Sequence, residues 1–169
     1  QDISVLQSAI EDIYKYVEKG SNKIALIKST VMPGTNRMFQ KMFPNLTFIQ
    51  NPEFLTAKTA ALDFISASRI ILGGENQQAL DRAEALYKHR FGNSIPIFKT
   101  SWEAAELTKL ACNNFFSMKV SYFNMIYDTC QKLGLDYEEV KDLIASDGRL
   151  GRSHQEVPGH DAFVGEDGK

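Results

Sequence analysis

The sequence predicts an α/β fold in which a doubly wound parallel sheet is followed by one long helix. Two patterns carry this prediction. Over residues 1–100, short apolar runs alternate with segments of helical period, and strands that alternate with helices form parallel sheets. Residues 102–133 then read as a single helix that is apolar on nearly every side. Because such a helix cannot face water all round, we expect it to lie between two domains or two subunits.

The elements of the first half follow from periodicity and from turn residues. A helix is expected over 5–17, where apolar residues recur at helical spacing. An apolar run between lysines predicts a strand at 23–28 that is buried on both faces. A Pro-Gly turn leads into a helix at 35–43 and a strand at 46–49. An Asn-Pro pair ends that strand, and a short helix reaches to about residue 64.

The second half continues the alternation. A strand is expected at 69–72 before a pair of glycines, and a helix at 77–91. A strand at 95–98 contains a proline, which cannot donate to a ladder and therefore places the strand at a sheet edge. A Thr-Ser-Trp-Glu capping box opens the helix at 102–133. A glycine ends it, and a shorter helix is expected at 136–145.

Composition narrows the class of protein. The chain has 169 residues, of which 43% are hydrophobic and 24% are charged, as in soluble globular proteins. A net charge of −2 argues against a nucleic-acid or membrane-surface partner. There is no run of about 18 uncharged apolar residues, so no membrane span is expected. The histidines fit no zinc-binding spacing, and no metal site is predicted.

The two cysteines, Cys112 and Cys130, fall in the predicted long helix. Their positions along a helix put them about 27 Å apart, whereas a disulfide needs Cα atoms within about 7 Å. We therefore expect two unpaired thiols that serve as small core residues. Unpaired thiols indicate a reducing compartment, and the cytoplasm is predicted.

Four polar side chains are candidates for a site. Thr30 and Glu53 each follow a predicted strand, and ligands of open α/β sheets bind beyond the carboxyl ends of strands. Lys109 and Asn113, four residues apart, share one helix face. An ammonium can stabilise an oxyanion and a carboxylate can steer a water, so the set suits oxidation of an alcohol. Each also has an ordinary alternative to a site role. The alternative is a turn residue for Thr30, a carboxylate at a helix start for Glu53, a solvated lysine for Lys109 and an amide packed within the helix for Asn113.

At these residues the chain resembles the UDP-glucose 6-dehydrogenase family of NAD-dependent nucleotide-sugar dehydrogenases. The resemblance covers about 23–159, and its strength lies in four motifs that occur in the right order and spacing. They are Lys28-Ser-Thr30, Asn51-Pro-Glu-Phe-Leu-Thr56 with Ser68-Arg-Ile-Ile-Leu-Gly-Gly74, Glu106-Leu-Thr-Lys-Leu-Ala-Cys-Asn113, and Ser146-Asp-Gly-Arg-Leu-Gly-Arg-Ser-His154 with Val157-Pro-Gly159.

The resemblance implies an activity and residue roles. The family oxidises UDP-glucose to UDP-glucuronate with NAD, through a covalent thiohemiacetal and a thioester. Ser29 and Thr30 then lie beside the cofactor, Glu53 assists hydrolysis of the thioester, and Lys109 and Asn113 stabilise the oxyanion and position the sugar. The residues implied to contact the nucleotide sugar are Phe54, Leu55, Arg149, Ser153 and His154.

The resemblance also implies an organisation. Residues 1–100 are expected to be the C-terminal half of a Rossmann-like parallel sheet that binds NAD, because none of the eleven glycines forms the Gly-x-Gly-x-x-Gly turn of the first half. Residues 101–146 are expected to be a central dimerisation region and 147–169 a substrate-loop segment. A homodimer through helix 101–133 would cover the apolar faces noted above.

Two departures bear on activity. Family members carry a second glutamate where this chain has Ala57, and their nucleophilic cysteine lies in a Gly-rich loop beyond the Val-Pro-Gly segment. We therefore expect this chain by itself to be inactive. Two alternatives remain: another nucleotide-sugar dehydrogenase, acting on GDP-mannose or a UDP-N-acetylhexosamine, and a short non-catalytic relative that dimerises.

Overall fold

A computed structural model describes residues 2–55 and 59–157. The predictions about Ala57 and about the tail beyond residue 157 lie outside these ranges. The helices are α1 (Ser4–Tyr14), α2 (Thr35–Met42), α3 (Ala60–Ile65), α4 (Gln77–Phe91), α5 (Trp102–Leu133) and α6 (Tyr137–Ala145). The strands are β1 (Ile24–Ile27), β2 (Thr47–Gln50), β3 (Ile70–Gly73) and β4 (Ile97–Thr100).

The chain forms two compact units whose boundary follows Leu110, inside α5. Their described residues are 2–55 with 59–110 in the first unit and 111–157 in the second. Each predicted helix and strand is present, with ends displaced by at most three residues. The predicted division at residues 100 and 146 concerns function and stays a prediction.

The first unit contains a four-stranded sheet of order β1-β2-β3-β4. The pairs β1–β2 and β3–β4 are parallel, which confirms the predicted α/β class, and β4 lies at an edge as its preceding proline predicted. The pair β2–β3 is antiparallel, through Gln50 and Gly73, so the prediction of a wholly parallel sheet is wrong at this point.

Helices cover both faces of this sheet, which explains why its strands are apolar on both sides. Consecutive residues of β2 point to opposite faces: Phe48 packs with α1 and α2, whereas Ile49 packs with α4. The first face contains the buried residues Ile10, Ile27, Phe39, Phe43, Leu46 and Phe48. The second contains Ile49, Ile70, Leu72, Ala79, Leu80, Ala83 and Tyr87.

The start of α5 is fixed against the sheet. Ser101 Oγ accepts a hydrogen bond from the Ala104 amide at 3.3 Å. The first residue of the predicted capping box, Thr100, instead belongs to β4. Trp102 is buried, and its Nε1 donates to the Phe48 carbonyl at 2.8 Å. These contacts fix the direction in which α5 leaves the sheet.

The second unit is built from the later part of α5 and from α6. Asp136 caps α6 by accepting a hydrogen bond from the Glu138 amide. The buried residues of its core are Phe123, Cys130 and Tyr137. The two cysteines form no disulfide. Cys130 is buried, which confirms its predicted place in a core, whereas Cys112 is only half-buried.

One face of α5 in the second unit is apolar and exposed. Phe115, Met118, Tyr122 and Met125 are 57%, 65%, 51% and 65% exposed. Their spacing of three and four residues places them on a single stripe, which we call the 115–125 stripe. Within the ranges described above, no helix combines the length and apolarity needed to cross a membrane.

Candidate active site

The first unit brings together two of the predicted site residues. The Nζ atom of Lys109, on α5, lies 3.1 Å from Oε1 of Glu53, which follows β2. The lysine is 7% exposed and the glutamate carboxylate is about a third exposed. A buried ammonium is thus paired with a carboxylate that water can still reach.

Asn51 anchors the segment that carries the carboxylate. Its backbone amide donates to the Ile27 carbonyl at 2.8 Å, and its Nδ2 donates to the Ile71 carbonyl at 2.9 Å. Its Oδ1 accepts hydrogen bonds from Lys28 Nζ, at 3.0 Å, and from the hydroxyl of Tyr87. The chain leaving β2 is therefore tied to β1, β3 and α4 immediately before Glu53.

The electrostatics around Glu53 favour its ionised form. Burial raises the pKa of this carboxyl. A 2.7 Å hydrogen bond from the Leu55 amide, the bond from Lys109 and the charge of Lys28 together lower it by a larger amount. The net result is a pKa below the ordinary value of 4.5. Burial also lowers the pKa of Lys28, and the charge of Glu53 partly opposes that effect.

Phe54 lies beside Lys109 and lines a cavity. The Nζ of Lys109 lies 5.3 Å from the centre of its ring, and the guanidinium carbon of Arg69 lies 4.3 Å from it. Both distances are within the range of cation–π attraction. The cavity measures about 230 Å³, and Phe54 and Leu55 line it with Lys28, Glu53, Arg69 and Tyr87.

Ser29 and Thr30 lie in the turn that follows β1. Ser29 is exposed and Thr30 is half-buried. The Ser29 carbonyl accepts a hydrogen bond from Gln50 Nε2 at 3.0 Å. The turn ends at Gly34, whose φ of 95° lies in the left-handed region that favours glycine.

The other predicted residues belong to the second unit, and their roles stay predictions. Asn113 is half-buried, and Ser153 is exposed. Arg149 is exposed and pairs with Asp147 at 2.5 Å. The ring of His154, a residue with φ of 60°, stacks on Phe116 at 4.1 Å.

Sequence reasoning missed three contributors to the first-unit site. Lys28, Asn51 and Arg69 all occur in the motifs that carried the resemblance, but no role followed from the motifs alone. A signal for Lys28 and Asn51 was available, because both follow a buried strand directly. The rule that selected Thr30 and Glu53, that ligands bind beyond strand ends, applies to them as well. Nothing in the described part of the chain groups three side chains that could hold a metal ion.

Replacing Glu53 with glutamine should destabilise the chain near neutral pH and have little effect in acid. Because the folded state lowers the pKa of Glu53, its carboxylate contributes stability above pH 4.5, and that contribution is lost as the pH falls through the lowered value. Denaturant unfolding of both proteins between neutral pH and about pH 3 measures this difference. If the difference in unfolding free energy between the two proteins does not change with pH, the lowered pKa of Glu53 is contradicted.

Comparison with known proteins identifies relatives of this chain. The NAD binding domain of the UDP-glucose/GDP-mannose dehydrogenase family matches residues 1–91, and the central domain of the same family matches residues 103–161. The UDP-glucose 6-dehydrogenase of Rhizobium meliloti is 32% identical over 89% of the chain and 36% of its own length.

Solved structures agree with the sequence relatives. A UDP-glucose dehydrogenase from Pyrobaculum islandicum has a TM-score of 0.82 at 27% identity, over 91% of this chain and 37% of that one. A GDP-mannose dehydrogenase from Pseudomonas aeruginosa has a TM-score of 0.77 at 26% identity, over 92% and 38%. The chain spans between 17% and 36% of the length of the first curated relatives that it matches.

Proposed function

The chain belongs to the UDP-glucose/GDP-mannose dehydrogenase family, and from this premise we propose that it is part of an NAD-dependent UDP-glucose 6-dehydrogenase. That enzyme would oxidise UDP-glucose to UDP-glucuronate. The Lys109–Glu53 pair carries the proposal, because it supplies a cation for an oxyanion and a carboxylate for a water in one place. The family predicted from the four motifs is confirmed; the substrate is part of the proposal.

NAD is the cofactor of the domain that residues 1–91 match. We expect the turn after β1 to face the dinucleotide, because it lies at the carboxyl end of a strand and the space beside Gly34 is open. Ser29 and Thr30 would hold the cofactor there. NAD, when bound, supplies the oxidising power for both oxidation steps.

The chain's own residues would bind the nucleotide sugar, orient a water and stabilise an oxyanion. Lys109 holds its ammonium where an alkoxide or a tetrahedral oxyanion needs positive charge, and its burial strengthens that interaction. Glu53, ionised at neutral pH, orients a water for hydrolysis of the thioester. Asn113 positions the sugar. The side chains proposed to contact the nucleotide sugar are Phe54, Leu55, Arg149, Ser153 and His154.

Substrate assays on the natural polypeptide that contains this chain test the proposal. UDP-glucose should be oxidised with two NADH formed for each molecule consumed. A preference for GDP-mannose, which the Pseudomonas structure favours, or for a UDP-N-acetylhexosamine would replace UDP-glucose as the substrate. If none of these is oxidised, the enzyme proposal fails and a non-catalytic dimerising relative, which Ala57 favours, takes its place.

We also propose a homodimer through the helix at 101–133, located in the cytoplasm. The exposed 115–125 stripe supports the dimer, since an apolar face of this size on a helix needs a partner. Cys112 and Cys130 form no disulfide, which supports a reducing compartment.

Replacing Met118 and Met125 together with glutamate should convert the proposed dimer to a monomer. The two side chains are 65% exposed, so the change should leave the fold intact while it places charges in the interface. Analytical ultracentrifugation of the wild type and the double variant measures the change. Replacing Leu143, which is 65% exposed on α6, with glutamate is the control. A wild-type monomer at all concentrations would contradict the dimer.

A further inference from the structure

Glu106 is a fully buried carboxylate on α5, one helical turn before Lys109. Its Oε2 accepts a hydrogen bond from the Gly34 amide at 2.6 Å. Its Oε1 accepts bonds from the amide and the Nδ2 of Asn36, at 2.9 and 2.8 Å. These amides belong to the beginning of α2, whose own N-cap residue is a glycine without a side chain. A residue 70 positions away along the chain therefore caps α2.

This arrangement satisfies a carboxylate that would otherwise be costly to bury. Three N–H donors and the positive end of the α2 dipole face its two oxygens. Among the described residues Glu106 has no ion pair. Removing the carboxylate would leave these donors without their acceptor, so Glu106 ties the start of α2 to α5.

The hydrogen bonds continue from Glu106 to the turn after β1. Asn36 Nδ2 also donates to Gln50 Oε1 at 2.7 Å. Gln50 Nε2 in turn donates to the Ser29 carbonyl at 3.0 Å. The network thus runs from the helix that carries Lys109 to the residue preceding Thr30.

We propose that Glu106 is a positioning residue that holds the turn at 29–34 and the first turns of α5 at a fixed separation. In that arrangement Lys109 reaches Glu53 while Ser29 and Thr30 stay at the end of β1. The value of this positioning for catalysis rests on the proposed function. The positioning itself is a property of the chain and is measurable without cofactor or substrate.

Two variants separate the bonds of Glu106. In Glu106→Gln, the remaining side-chain oxygen should face Asn36, which offers two donors, and the new amide would face the Gly34 amide, donor against donor. Hydrogen exchange at the Gly34 amide should then accelerate about tenfold, with exchange at the Asn36 amide nearly unchanged. In Glu106→Ala, both amides should exchange faster by a factor of that order.

The second measurement reports on the site. NMR titration of the chain labelled with 13C at glutamate side chains, with Glu53→Gln to assign the resonance, gives the titration midpoint of Glu53. In wild type it should lie below the ordinary 4.5, and in Glu106→Ala it should move up toward that value because Lys109 is no longer held beside it.

Glu103→Gln is the matched control. Glu103 also connects α5 with α2, through hydrogen bonds to Arg37 at 2.6 and 3.2 Å, but it has no bond to the turn. It should leave the Glu53 midpoint and the Gly34 exchange rate unchanged. If folded Glu106→Ala keeps the wild-type midpoint, or if Glu106→Gln leaves Gly34 exchange unchanged, the positioning role is refuted. If both shifts occur and UDP-glucose is not oxidised, the proposed function fails alone.

Discussion

Replacing Lys109 with methionine should lower kcat for the proposed oxidation of UDP-glucose by a factor of about 10²–10³. The unfolding free energy should change by less than about 1 kcal/mol. The loss in rate follows from removal of the ammonium, which lies 3.1 Å from Glu53 and is proposed to stabilise the oxyanion of the transition state. The effect on folding is small because two changes offset each other: the desolvation cost of a 7% exposed ammonium disappears, and Glu53, whose carboxylate is about a third exposed, loses its partner.

Steady-state kinetics of the natural polypeptide and denaturant unfolding of the same variant measure the two effects. Lys99→Met is the control, because Lys99 also forms ion pairs in the first unit, with Asp81 and Glu84, but has no contact with Glu53. It should keep the wild-type kcat. A Lys109→Met enzyme with kcat within twofold of wild type would exclude an electrostatic role for the lysine.

The sheet was largely predictable because its strands are buried on both faces. Runs such as Ile24–Ile27 and Ile70–Gly73 are continuous in apolar character, and buried strands of an α/β sheet have that pattern. The direction of β3 relative to β2 was not predictable in the same way. It depends on where the connection through α3 returns the chain, which is a tertiary property that no periodicity within either strand contains.

Glu53 and Lys109 were each predicted as site residues, whereas the ion pair between them was not predicted. The rule that ligands bind beyond strand ends indicated Glu53, and the helix face that Lys109 shares with Asn113 indicated the lysine. Glu106 occurs in the same motif as Lys109, but no role was predicted for it. In sequence it resembles any acidic residue of a helix, and only its three bonds to residues 34 and 36 distinguish it.

The same limit applies to Gly73. The sequence shows two consecutive glycines after an apolar run, which predicts a strand ending in a turn. Gly73 instead belongs to β3, and α5 passes over it at close range. A glycine that is needed for close approach of a helix cannot be distinguished from a turn glycine until the helix is placed.

Replacing Gly73 with alanine should destabilise the first unit by about 3 kcal/mol. A Cβ at this position would lie 2.5 Å from the Cβ of Ala105 and 2.7 Å from the Ser101 carbonyl oxygen. Both belong to rigid parts of the chain at the beginning of α5, so the helix has to move away from β3. Denaturant unfolding measures the loss.

Gly74→Ala is the matched control for this prediction, because a Cβ there would meet Leu80 Cδ2 at 3.3 Å, and the end of a leucine side chain can shift. Its effect should stay below about 1 kcal/mol. Adding Ala105→Gly to Gly73→Ala should restore only part of the stability, since the 2.7 Å contact with the Ser101 carbonyl remains. Wild-type stability of Gly73→Ala would show that α5 does not lie this close to β3, and the placement of Lys109 beside Glu53 would then lose its structural basis.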